Sequence, residues 1–101
     1  MILHTLNQPP SSAETCTRCL NAIAAADSLL LIENAVYGAV QNAAFSEKMA
    51  AISAQGKLFV LTSDFTGRGL KAENLLQGSQ LIGYEEFVSL VCLHDKCIAW
   101  F

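Results

Sequence analysis

The chain reads as an α/β protein: a three-layer α/β/α sandwich around a mostly parallel sheet of about five strands. Three observations lead there. Short, nearly continuous apolar runs at 2–6, 28–33 and 57–61 have the pattern of strands buried on both faces. Longer stretches with helical spacing separate them. Turn residues (Pro9-Pro10, Gly56, Gly67, Gly69) mark the changes from one kind to the other. At 101 residues there is room for one domain with one core, taken as 1–101.

The elements follow in order. Residues 2–6 form the first strand, and Pro9-Pro10 ends it. Ser11-x-x-Glu14 fits a capping box for a helix from Ser12 to Ala26, with alanines supplying the propensity. Ser28–Glu33 is the second strand, with Asn34 as a helix cap beyond its carboxyl end. An apolar segment, Ala35–Val40, leads into a helix over Ala43–Ala54, which Gly56 closes. Lys57–Leu61 is the third strand. Residues 63–70 read as a turn-rich segment with a helical turn, and 71–77 as another short helix. Gln80–Ile82 is a short fourth strand. Tyr84–Leu93 is a helix with Phe87, Val88, Val91 and Cys92 on an apolar face. Cys97–Phe101 completes the sheet as an edge strand. In such sheets, sites lie beyond the carboxyl ends of the strands. That edge would gather Asn7, Glu33, Asn34, Tyr37, Ser63, Asp64 and Arg68.

Composition narrows the function. Hydrophobic residues make up 52% and charged residues 15%, against about 25% charged in a typical domain. Either a partner covers part of the surface or the core is unusually rich in alanine. Net charge is −3, and the basic residues Arg18, Lys48, Lys57, Arg68, Lys71 and Lys96 are scattered. Binding a nucleic-acid backbone requires clustered cations, so direct nucleic-acid binding is not expected. The opening apolar run is too short for a signal segment. No run approaches the roughly 20 apolar residues of a membrane span. A cytoplasmic location is expected, where four cysteines are free, metal-bound or catalytic rather than disulfide-bonded.

Cys16-Thr17-Arg18-Cys19 is a Cys-x-x-Cys on a helix, suited to dithiol redox chemistry, metal binding or sulfur carriage. Cys16 lies too far inside the expected helix for the dipole to lower its pKa. On the helical projection Cys16 falls between Cys19 and Leu20, so Cys16 is expected to be the more buried thiol. Both could equally be small core residues. Cys92 and Cys97 could complete a four-thiolate zinc site, but zinc sites favour tight turns, and no metal or cofactor is expected. His4, in a buried strand, reads as a hydrogen-bonded core residue. No P-loop, dinucleotide fingerprint, hydrolase elbow or His-Glu-x-x-His is present. Gly67-Arg68-Gly69 reads as a solvated turn. Trp100 is expected to fill the core and Phe101 to contact a neighbour.

Several segments together resemble the DsrH/TusB family of sulfur-relay proteins. They are Ile2-Leu3-His4-Thr5-Leu6-Asn7, Cys19-Leu20, Leu29 through Tyr37, Val60-Leu61-x-x-Asp64-x-x-x-Arg68-Gly69-Leu70, Tyr84-x-x-Phe87-Val88-x-Leu90 and Ala99-Trp100. Gly83 stands where an acid is common in the family, and Gly67 where alanine is usual. The resemblance spans nearly the whole chain. It implies a subunit of a heterohexamer built with TusC/DsrF-like and TusD/DsrE-like sister subunits. Such a complex exchanges persulfide sulfur with upstream and downstream sulfur-carrier proteins. In one branch the sulfur goes toward 2-thiolation of the tRNA wobble uridine, which is the favoured reading. In the other branch the complex serves dissimilatory sulfur oxidation. The resemblance carries over Cys19, and not Cys16, as a candidate persulfide acceptor. It implies a sulfur carrier or scaffold without independent turnover. The rival from another class is a stand-alone dithiol oxidoreductase using Cys16 and Cys19. The plainer rival is a structural subunit whose cysteines only pack.

Overall fold

In the computed structural model, which describes every residue except Asn42, the apolar runs become one sheet. The strands are β1 (Ile2–Leu6), β2 (Ser28–Leu31), β3 (Leu58–Leu61), β4 (Gln80–Ile82) and β5 (Lys96–Trp100). Their order is β4-β3-β2-β1-β5, and every pairing is parallel. The α-helices are α1 (Ala13–Ala22), α2 (Ser46–Ala54), α3 (Thr62–Gly67) and α4 (Tyr84–Leu93). Two 3-10 helices, Glu33–Ala39 and Ala72–Asn74, complete the connections.

Alternation along the strands sorts side chains into two layers. Leu6, Leu29, Leu31, Leu58 and Val60 share one core with Cys16, Cys19 and Leu20 of α1 and Met49 of α2. Leu3, Leu30 and Ile82 face the other way, where Phe87 and Leu90 of α4 pack on them. The sandwich therefore has three layers, as expected, but they are unequal. On the α4 side the helix buries none of its residues fully. Tyr84, Val88, Val91 and Leu93 stand exposed.

The expected apolar face of α4 is thus corrected. Phe87 and Leu90 meet the sheet, whereas Val88, Val91 and Cys92 point away from it. Other boundaries move for local reasons. The capping box does not form: α1 starts one residue later, with Ser12 at the cap position and no side-chain cap bond. The Ser12 hydroxyl donates to Gln8 Oε1 at 3.2 Å. The helix also stops at Ala22 rather than Ala26, because Ile23 turns extended and Asp27 draws the Ala24 amide to its carboxylate. The stretch after β2 forms a 3-10 helix that begins at Glu33, ahead of the expected Asn34 cap. The second helix begins at Ser46 rather than Ala43, after Phe45 in the left-handed region (φ 66°). Gly56 closes it as expected, with φ +72°.

Asp27 organises the amino-terminal end of the sheet. Its Oδ1 accepts the Ile2 amide at 3.0 Å. Its Oδ2 accepts the Ala24 amide and His4 Nε2, both at 3.0 Å. Trp100 Nε1–H can only donate, and it donates to His4 Nδ1 at 3.1 Å. His4 therefore carries its proton on Nε2 and is neutral. The expectation of a hydrogen-bonded core histidine holds. The expectation for Trp100 holds too, since its ring packs on the core cluster. Phe101, beyond β5, is 82% exposed.

Burial pushes the Asp27 carboxyl upward, but the Ala24 amide, His4 and the Ile2 amide outweigh it and hold the group at about 2. A carboxyl lowered in the folded state adds stability above its unfolded value of 3.8, and that stability is lost as pH falls through about 2. Urea unfolding at pH 7 and pH 2 should show the wild type losing about 2 kcal/mol more than Asp27→Asn over that range. An equal loss in both proteins would rule out this role for Asp27.

A second constraint pins α2 to the turn before β4. Ser53 Oγ donates to the Gln77 carbonyl at 2.6 Å. Gly78 beside it has φ +91°, and an added Cβ would lie 2.6 Å from the Ser53 carbonyl oxygen. Gly78→Ala should cost about 1–3 kcal/mol in chemical denaturation, whereas Gly67→Ala, with open space around it, should cost less than about 1 kcal/mol.

Candidate functional site

Helix α1 presents both thiols of the Cys-x-x-Cys to the sheet. Cys16 is 1% exposed and Cys19 is fully buried, the reverse of the expected ranking. The inward direction of α1 is rotated toward Cys19, leaving Leu20 as the less buried neighbour at 9%. Cys16 sits one turn into the helix, nearer its start than expected, and its amide bonds the Ser12 carbonyl. Its Sγ lies 3.3 Å from the Pro9 carbonyl and 3.8 Å from that of Gln8. Carbonyls only accept, so this contact holds Cys16 as a thiol. Burial raises the Cys16 pKa. Burial, reinforced by the Cys16 charge, pushes Cys19 up to about 12. Neither sulfur is a thiolate at neutral pH while α1 is covered in this way.

The other two cysteines differ in exposure. Cys92 and Cys97 are exposed. Cys97 is in register with Leu3 of β1, whose side chain faces α4. The two cysteine pairs therefore lie on opposite faces of the sheet, and a zinc centre shared by all four is ruled out.

The carboxyl edge of the sheet gathers part of the predicted cluster. The Glu33 amide donates to Asp64 Oδ2 at 2.7 Å. This bond accompanies an uncommon positive φ of 49° at Glu33. Arg68 Nε donates to Asn34 Oδ1 at 2.9 Å, and its Nη1 donates to the Asp64 carbonyl at 3.2 Å. The Arg68 guanidinium also pairs with the Asp64 carboxylate at 3.8 Å. These groups satisfy one another and clamp the β2 exit to α3. Arg68 is thus held in this clamp rather than in a merely solvated turn. Asn7 takes no part in these bonds: its amide bonds the Trp100 carbonyl and its side chain accepts from Gln8; Tyr37 is exposed.

Two depressions flank the outer elements. One, about 600 Å³, runs between α2 and the turn at Leu76–Gly78 and is lined by small residues and glutamine amides. The other, about 230 Å³, is lined by Thr15 and Arg18 of α1 and by Ala99, Trp100 and Phe101. Sequence reasoning missed this cleft because it depends on β5 pairing with β1, which no local pattern specifies.

The five-stranded order and its helices match known folds. The ychN protein from E. coli superposes with a TM-score of 0.82 at 17% identity, covering 97% of each chain. Protein Tm0979 from Thermotoga maritima superposes with a TM-score of 0.65 at 23% identity, covering 94% of this chain and 95% of the other. At these identities the likeness concerns fold. Family is decided by sequence: the family model described as "DsrH like protein" matches residues 8–97. The chain belongs to the DsrH family. Protein TusB of Erwinia tasmaniensis is 31% identical over 99 residues, covering 98% of this DsrH-family chain and all of the relative. Protein TusB of Escherichia coli is 30% identical over the same length and share. Among the described residues of this DsrH-family chain, no helix is long and apolar enough to cross a membrane.

Accessibility of the four thiols makes a direct prediction. With iodoacetamide at pH 8, Cys92 and Cys97 should be labelled at least about tenfold faster than Cys16 and Cys19 in the native chain. In denaturant the four rates should converge. Peptide mapping by mass spectrometry reads both, and rapid labelling of Cys19 in the native chain would contradict the packing of α1.

Proposed function

We propose that this DsrH-family chain is a subunit of a sulfur-relay complex, assembled with sister α/β subunits of the TusC/DsrF and TusD/DsrE kinds. The observation that carries this reading is the family match along nearly the whole chain, to DsrH by family and to TusB by individual relatives. The exposed apolar residues of α4 and the unpaired edge of β5 support a partner-covered face. The end use of the sulfur is taken to be 2-thiolation of the tRNA wobble uridine, because the relatives matched along their whole length are TusB proteins.

Within that complex Cys19 is the proposed persulfide acceptor. The step is a redox-neutral transfer of sulfane sulfur: Cys19–SH + R–S–SH gives Cys19–S–SH + R–SH. The Cys19 thiolate attacks the outer sulfur of the donor and the donor S–S bond breaks. Its electron pair leaves on the inner sulfur, which ends with the proton that Cys19 gave up. Burial keeps Cys19 protonated in the isolated chain, so transfer requires that α1 be uncovered when a donor docks.

A stand-alone dithiol oxidoreductase is disfavoured, because its attacking cysteine must be an accessible thiolate and both α1 thiols are buried. The same burial favours one competing reading, a scaffold whose cysteines only pack. Intact-mass analysis separates the two. The chain, co-expressed with its sister subunits and given a persulfide donor, should gain one sulfur atom. The gain should vanish in Cys19→Ser and persist in Cys16→Ser. Sulfur found on a sister subunit alone would leave this chain as scaffold.

A further inference from the structure

The cleft beside Trp100 opens to solvent against the outer side of α1, the helix that carries the buried thiols. It lies where the strand order reverses: β1 to β4 run outward on one side, and β5 returns to the other side of β1. In open α/β sheets the crevice beyond the carboxyl ends at such a reversal is the usual ligand site. One wall is the turn of α1 that bears the thiols. Thr15 stands one turn before Cys19, about 40° away around the helix, and Arg18 is the adjoining residue. The facing wall is Ala99–Phe101. Trp100 in that wall packs on the same core cluster as Cys16 and Cys19. Its indole is held by the bond to His4 Nδ1, with the two rings stacked 6.2 Å apart. Arg18 is the only charged side chain lining the cleft among the described residues.

We propose that this cleft is the entry port to Cys19 for an anionic persulfide donor, with Arg18 positioning the donor and Trp100–Phe101 forming a wall that swings aside. The inference rests on the reading of Cys19 as acceptor. Arg18, on the wall of the cleft, holds the donor's carboxylates. Trp100 packs on the core cluster that contains Cys19 and is tethered there by its bond to His4; in this proposal, release of that bond exposes Cys19.

The test uses the full chain with its sister subunits, in a Cys16→Ser, Cys92→Ser, Cys97→Ser background, so that Cys19 is the one thiol of this subunit. Sulfur gain at Cys19 is followed by mass with anionic glutathione persulfide and with cationic cysteamine persulfide. Arg18→Gln should slow the anionic donor about fivefold and leave the cationic one unchanged. Trp100→Phe, which keeps a ring but removes the N–H, should speed both donors. Equal rates across donors and variants would overturn the port and leave the acceptor reading standing. If Cys19 gains sulfur from neither donor, the acceptor reading falls. The port is then judged by alkylation of the same proteins. Arg18→Gln should slow iodoacetate at Cys19 about fivefold relative to neutral iodoacetamide. An unchanged ratio, or no labelling of Cys19 short of unfolding, would overturn it.

Discussion

Asp27 brings a carboxylate to a position that is only 5% exposed, and three donors meet it there. The amide of Ile2 fixes the start of β1, the amide of Ala24 fixes the exit from α1, and His4 fixes the middle of β1. Because His4 spends its one proton on Asp27, its other nitrogen is free to receive the indole of Trp100. A single buried charge thus orders the helix exit, strand β1 and the last strand. Buried charges persist only when their lone pairs are filled, and no buried side-chain nitrogen or oxygen among the described residues lacks a partner.

That arrangement bears on the thiols. Ending α1 at Ala22 sets the helix onto the face of the sheet where Leu6, Leu29 and Leu31 form the core, and Cys16 and Cys19 join them. Trp100, held by His4, closes over the same core. The concealment of Cys19 is therefore a property of several elements rather than of its own helix. A cysteine sequestered in this way is protected from adventitious oxidation.

The sequence was most legible where one face of an element answered to a local rule. The apolar runs located the strands because burial on both faces leaves a continuous pattern. Gln80–Ile82 and Tyr84–Leu93 were read to the residue. The failures arose where distant residues decided the outcome. Alanine propensity extended α1 to Ala26, but a carboxylate at Asp27 took the amide that the helix would have used. The Ser11–Glu14 spacing suggested a capping box, yet the helix is capped at Ser12, one residue too late for that pair to frame its start. Periodicity marked an apolar face on α4 but could not say which part of it meets the sheet. In the candidate site, the Cys-x-x-Cys and the gathering of Asp64 and Arg68 at the carboxyl edge were visible in advance, but the clamp they form with Glu33 and Asn34 was not. The relative burial of the two thiols was not, since it depends on how a packed helix is rotated. The cleft between α1 and β5 was invisible, because its walls are more than 80 residues apart and meet only through the pairing of β5 with β1.

That pairing also dictates when the molecule can exist. All strand contacts are parallel, so no hairpin gives an early, local nucleus, and each new strand needs a crossover. Strand β1 precedes the other four in the chain, but its neighbour β5 is the last strand of the described chain. During synthesis one edge of β1, including His4, waits unpaired while everything between is made. A nascent chain in this state displays an open strand edge and an unfilled imidazole. The pairing of β1 with β5 therefore forms only after β5 is made, and a chain that has not yet reached β5 keeps that edge of β1 open.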